Sequence, residues 1–212
     1  MRAVLHRKNL MFLNALDLLK DSSKSWLVVG KGPTSEKVKN FSTDIVNILT
    51  LNHAFRLTTP SAALFIDREA FAECFDELKA KNIKVILPWR PHQNSKSGKD
   101  SLDALFSISA YWKQYAEAGN VYTFNSTTSS LKPNPDYPVI RVRYFSAVAA
   151  INLLVAAGHT EEIYTLGVDG GTRYNPAFDT KDRLSNGRSS FDIQFDEFEK
   201  TVKSSGVRIV KL

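Results

Sequence analysis

Short apolar runs recur along the chain, at 26–29, 45–51, 61–66, 83–87, 120–124, 162–167 and 207–211. Between several of them lie segments with apolar residues at helical spacing, at 68–81, 101–118, 145–157 and 191–204. Runs too short for helices, alternating with helical patterns, predict parallel strands in a sheet covered on both faces. Leu10, Leu13, Leu16 and Phe12, Leu16, Leu19 share one stripe, so an amphipathic helix within residues 1–22 is expected ahead of the first strand. Segment 145–157 is apolar on nearly every side, which predicts a central, buried helix, stopped by Gly158. The expected fold is α/β and Rossmann-like: one domain over 1–212, with a mostly parallel twisted sheet and helices on both faces. A lid is expected at 172–190, before the C-terminal helix. Segments 88–100 and 125–138, rich in turn formers, read as loops long enough to carry function.

The chemistry begins where the first buried strand ends, in Trp26-Leu-Val-Val-Gly-Lys-Gly-Pro-Thr-Ser35. Gly30 and Gly32 carry no Cβ, so the backbone there can approach a ligand. Pro33 suits the first position of a helix, and the amides of Thr34 and Ser35 would then face a phosphate or carboxylate. The motif is neither a Walker A loop nor a GxGxxG fingerprint. Ligands of open parallel sheets bind beyond the carboxyl ends of the strands. That rule gathers Gly30–Ser35, Asn52-His53, Asp67-Arg68 and Asp169-Gly170-Gly171 at one edge.

Composition narrows the partners. With 43% hydrophobic residues among 212, a full core is available. No apolar run approaches the ~20 residues that span a bilayer, no signal-peptide pattern is apparent, and the single Cys74 excludes a disulfide framework or multi-cysteine zinc site. A cytoplasmic location is the expectation. The net charge of +6 points to anionic partners. Because the basic residues are scattered and the aromatics form no RNA-binding signature, nucleic acid is not expected among them.

The order Gly30-Lys-Gly-Pro-Thr34, Leu51-Asn52-His53-Ala54-Phe55 and Ala63-Leu-Phe-Ile-Asp67 resembles the bacterial CMP-sialic acid-dependent sialyltransferases and their relatives. So do Arg143-Tyr-Phe-Ser146, the Ala-rich helix after it, Glu162-Ile-Tyr-Thr-Leu-Gly-Val-Asp169 and Ala177-Phe-Asp179. The resemblance spans about residues 26–200, with specific matches confined to these patches. It implies a metal-independent glycosyltransferase with a CMP-activated acidic sugar as donor and no obligatory cofactor; the sequence accordingly carries no Asp-x-Asp motif. The implied acceptor is a surface polysaccharide or lipid-linked oligosaccharide, met at the inner face of the membrane by peripheral association.

Carried over residue by residue, the resemblance gives Gly30, Gly32 and Thr34, with Lys31 and Pro33 between them, to the donor's phosphate or ribose. It gives Asn52 to the nucleotide or donor, Asp67 to the donor, Ser146 to its carboxylate, and Tyr174 to the leaving phosphate. The family has Asn at the positions of Lys31 and Asp67, and its histidine base lies in the lid, where this chain has Asn186-Gly187-Arg188. Inverting transfer needs a base, and arginine cannot serve as one near neutral pH. Related transferases of 3-deoxy-manno-octulosonic acid (Kdo) retain configuration, which needs a carboxylate nucleophile. Asp169, with Gly170 and Gly171 leaving room beside it, is either that nucleophile or an Asp bonding turn amides.

Among the remaining residues, Arg188 would clamp an anion from the lid, Arg173 is either an anion partner or a solvated cation, and His92 lies with Arg90 in a loop where it could reach an acceptor. Two other readings stand beside the transferase. One is a pterin diphosphokinase-like, ATP-dependent enzyme, which shares the Gly-x-Gly-Pro turn. The other is a catalytically degenerate nucleotide-sugar-binding domain.

Overall fold

The computed structural model describes residues 10–20, 23–94, 96, 98–143, 146–178 and 190–212. Its nine described strands form one parallel sheet. They are β1 (Leu13–Asn14), β2 (Trp26–Val29), β3 (Asn47–Leu51), β4 (Ala62–Leu64), β5 (Val85–Pro88), β6 (Val121–Ser126), β7 (Val139–Ile140), β8 (Glu162–Leu166) and β9 (Arg208–Lys211). The spatial order is β1-β6-β5-β4-β3-β2-β8-β9, with β7 paired to the far end of β6. Strands β2 to β5 are buried at every position, as a parallel sheet covered on both faces requires. The chain steps outward from β2 to β6 and then crosses back to lay β8 on the other side of β2. The order therefore reverses between β2 and β8, where such sheets bind ligands.

Side-chain alternation sorts the helices. Trp26, Val28, Leu49, Leu51 and Ile163 face α1 (Ala15–Leu19), α5 (Ser146–Ala156) and α6 (Asp192–Ser205). Leu27, Val29 and Ile48 face the opposite side, where a 3₁₀ helix over Pro33–Asn40 packs through Val38. On that side Ala63, Val85 and Val121 meet α2 (Arg68–Ala80), α3 (Leu102–Ser107) and α4 (Ala110–Glu117). Helix α5 is buried at Ala147–Ile151 and at Leu153 and Leu154, as its all-round apolarity predicts, and Gly158 beyond it takes a φ of +101°. Antiparallel to the strands it joins, α5 starts at their carboxyl edge.

Four expectations change. Within 10–20, the N-terminal segment is not one helix: Leu13–Asn14 pair with Tyr122–Thr123 as an edge strand, and α1 occupies only Ala15–Leu19. The segment 101–118 is two helices, because the Ser109 hydroxyl accepts from Trp112 N and starts a new one. Pro33 opens a 3₁₀ rather than an α-helix. The loop expected at 125–138 contains the end of β6, and β7 follows it. No helix among the described residues is long and apolar enough to cross a membrane.

Candidate functional site

The glycine turn after β2 meets the turn after β8, and its glycines are there because the two backbones touch. Gly30 N donates to Leu166 O and Gly32 N to Gly167 O, both at 2.8 Å. A Cβ on Gly30 would fall 2.3 Å from the Gly167 oxygen, and one on Gly32 would fall 2.4 Å from Asp169 Oδ2. The room read as a ligand's is filled by the chain itself. Asp169 then closes the pair: Oδ2 accepts from Thr34 N at 2.9 Å and Oδ1 accepts from Thr34 Oγ1 at 2.6 Å. Thr34 Oγ1 in turn accepts from Gly167 N at 2.7 Å. The anion seat expected at Thr34 and Ser35 is therefore occupied from within, because Ser35 N donates to Gly32 O. Asp169 is exposed, and among the described residues each of its oxygens keeps a lone pair to accept from a guest.

Pro33, Thr34, Asp169, Phe195 and Lys211 line a cavity of about 370 Å³ at this switch point. Lys211 Nζ lies 4.2 Å over the Phe195 ring and 3.0 Å from Glu199 Oε1. Lys31 Nζ lies 4.6 Å over the Tyr174 ring, and Lys31 O accepts from Asn175 N at 2.8 Å, so the segment after Asp169 is tied back to the glycine turn. Gly170 and Gly171 both take left-handed φ, near +70°, and Gly171 N donates to Asp192 Oδ1 at 2.9 Å. Arg173 is exposed. Arg188 and most of the expected lid lie outside the described residues.

One strand over, Asn52 follows β3 with φ +50°, a region that costs an L-residue energy. Its Oδ1 is buried and meets no hydrogen-bond donor among the described residues. A strained residue with an unsatisfied buried acceptor calls for an explanation, and a guest's donor provides one. Asp67 precedes α2 after β4, and Ser146 opens α5 at the same edge.

In the sequence His92 stands out only as part of a loop, and the hydroxyls that surround it do not stand out at all. His92 N donates to Ile66 O, which extends the sheet edge past Asp67. The ring's Nδ1 lies 3.7 Å from Asp67 Oδ1, and Nε2 lies 2.9 Å from Thr128 Oγ1. Thr128 Oγ1 is 2.7 Å from Ser126 Oγ. The ring titrates below its ordinary value because burial penalises its charge, with the Asp67 and Glu69 carboxylates pulling partly the other way. A lowered folded value means that the unfolded chain binds the proton more tightly. Stability from this group is thus complete above the ordinary value of 6.5 and is lost as pH falls from there through the folded value. The thermal midpoint of His92→Gln should therefore fall less than the wild type's on acidification; parallel melting curves would show that the ring is solvated.

No protein-family model matches the chain, and no curated protein matches it.

Proposed function

We propose that this protein is a glycosyltransferase that moves an acidic sugar, of sialic acid or Kdo type, from a CMP-activated donor to a hydroxyl of a surface glycan or lipid-linked oligosaccharide. The observation that carries it is Asn52: a strained backbone holds a buried amide oxygen, one strand from the switch point, that meets no donor among the described residues. An amino or hydroxyl hydrogen of a nucleotide sugar would satisfy it.

The donor then lies across the carboxyl edge. Asp169, fixed by Thr34, accepts from ribose hydroxyls with its free lone pairs, so the nucleotide end occupies the switch point. With the seat at Thr34 taken, the phosphate rests on Lys31, with Tyr174 beside it, and charge developing on the leaving CMP is stabilised there. The sugar extends toward Asn52 and Asp67, and its carboxylate meets Ser146 and the amides that open α5. The +6 charge suits work at an anionic lipid surface, where a lipid-linked acceptor would be held.

Thermal-shift measurements with CMP, CDP, UDP, GDP and ATP–Mg²⁺ test this reading. CMP is expected to stabilise the protein, and Asn52→Ala to weaken binding of CMP-N-acetylneuraminic acid, whose sugar faces Asn52, about tenfold, the loss of one good hydrogen bond. Stabilisation by ATP–Mg²⁺ with none by CMP would overturn it in favour of a phosphotransferase.

A further inference from the structure

Far along the carboxyl edge from the switch point, the turn after β5 and the loop after β6 enclose a second cavity, of about 110 Å³. We propose that it binds the phosphoryl group of an organic phosphate, held by Arg90 and Lys132, at a site separate from the one assigned to the donor.

The loop is fixed in place. Asn125, buried near the end of β6, donates from Nδ2 to Asn134 O at 2.8 Å and to Tyr137 O at 2.7 Å, and its Oδ1 accepts from Asn134 N at 2.9 Å. One side chain therefore ties the far end of the loop to the strand and sets Lys132 on the cavity wall with Arg90. The Arg90 guanidinium is anchored at one corner, where Nη1 donates to Lys99 O. That leaves the edge made by Nε and Nη2, whose parallel N–H groups match two oxygens of one anion. Among the described residues neither nitrogen donates to anything, and Nε is buried. A buried donor without an acceptor is costly and calls for an explanation. A guest oxygen drawn onto this edge from the adjoining cavity supplies one.

The rest of the polar lining donates too. Thr127 Oγ1 accepts from Val142 N at 3.2 Å and Ser129 Oγ from Leu131 N at 3.3 Å, so each hydroxyl has its proton left to give. Lys132 is exposed and meets no carboxylate among the described residues, and no described Asp or Glu lines the cavity. Donors with two positive charges select a group that only accepts and carries close to two negative charges, which is a phosphate monoester near neutral pH. The volume is the share of three to four waters at about 30 Å³ each, enough for a phosphoryl group but not for the molecule attached to it. Trp89, Leu131 and Val139 flank the same cavity and offer the organic part an apolar surface.

The donor's phosphate is a different one. In the sheet, β6 lies four positions from β2. At about 4.8 Å per spacing, the cavity is on the order of 19 Å from the turn that carries Lys31. One nucleotide phosphate cannot occupy both places, so the inference does not rest on the transferase reading.

Isothermal titration calorimetry with glycerol 3-phosphate, inorganic phosphate and acetate tests the site. Expected for the wild type is a dissociation constant of about 1 mM or tighter for glycerol 3-phosphate, weaker binding of inorganic phosphate, which lacks the organic part, and no heat from acetate. Arg90→Gln should weaken glycerol 3-phosphate by about tenfold or more, and Lys132→Ala, a change at an exposed position, by about three- to tenfold. Asn52→Ala should bind it as the wild type does. Thermal melts of the variants show that they fold. No binding by the wild type, wild-type affinity in both Arg90→Gln and Lys132→Ala, or affinity lost in Asn52→Ala instead overturns the site. Equal affinity for inorganic phosphate makes the free ion the guest, and equal affinity for acetate makes it a carboxylate; either overturns the assignment to an organic phosphate. A protein that takes glycerol 3-phosphate in the expected pattern yet fails to bind CMP sinks the transferase reading and leaves this site standing.

Discussion

Gly30→Ala is expected to cost about 3 kcal/mol, the upper range for forcing an extra carbon into a packed interior, and to lower the thermal midpoint by roughly 6–12 °C for a chain of this size. The added methyl would sit 2.3 Å from the Gly167 carbonyl oxygen and 3.0 Å from its carbon. Neither atom can retreat cheaply. Gly167 O already accepts from Gly32 N, and Leu166 O from Gly30 N, so moving either carbonyl breaks the ladder between the two turns. Gly171→Ala is the useful contrast: its φ of +69° strains an alanine, yet nothing among the described residues lies within 4 Å of the new Cβ. That change should cost only about 1 kcal/mol, the penalty of the left-handed backbone. Equal stability of Gly30→Ala and wild type in urea titration would mean that the two turns do not pack as described, and the donor site built on them would lose its frame.

This pair of turns also shows where the sequence was readable and where it was not. The strand-glycine-proline pattern located the turn, and the run ending in Asp169 located its counterpart. Their mutual contact could not be read, because Thr34 and Asp169 are 135 residues apart and nothing local records which strand becomes the neighbour of β2. A glycine that admits a ligand and one that admits another backbone look alike in one sequence. Apolar strands of four or five residues announced themselves as β2, β3, β5 and β8; the two-residue strands β1 and β7 are too short to show a period. The Ser- and Thr-rich stretch after β6 read as turn formers, and so it is. That composition nevertheless hid Ser126 and Thr128, whose hydroxyls gain meaning only from His92, placed beside them by β5–β6 pairing. Likewise, Asn52 was marked by its strand-end position, but its unsatisfied oxygen is a property of the packed fold alone.

The second large effect concerns Asp169, for which the sequence left two roles open. Both its oxygens are engaged by Thr34, and it stands at the switch point. The proposed arrangement is a single displacement with Asp169 holding the nucleotide. Asp169→Asn is then expected to weaken CMP binding between about 10- and 100-fold, the loss of a charge-assisted hydrogen bond. The rate at saturating donor should stay within about threefold, because the interaction is made equally in ground and transition states. Intact mass after incubation with CMP-N-acetylneuraminic acid should show no adduct on the wild type. A wild-type adduct that disappears in Asp169→Asn, together with a rate fall on the order of 10⁴, would instead make Asp169 the nucleophile and the transfer a retaining one.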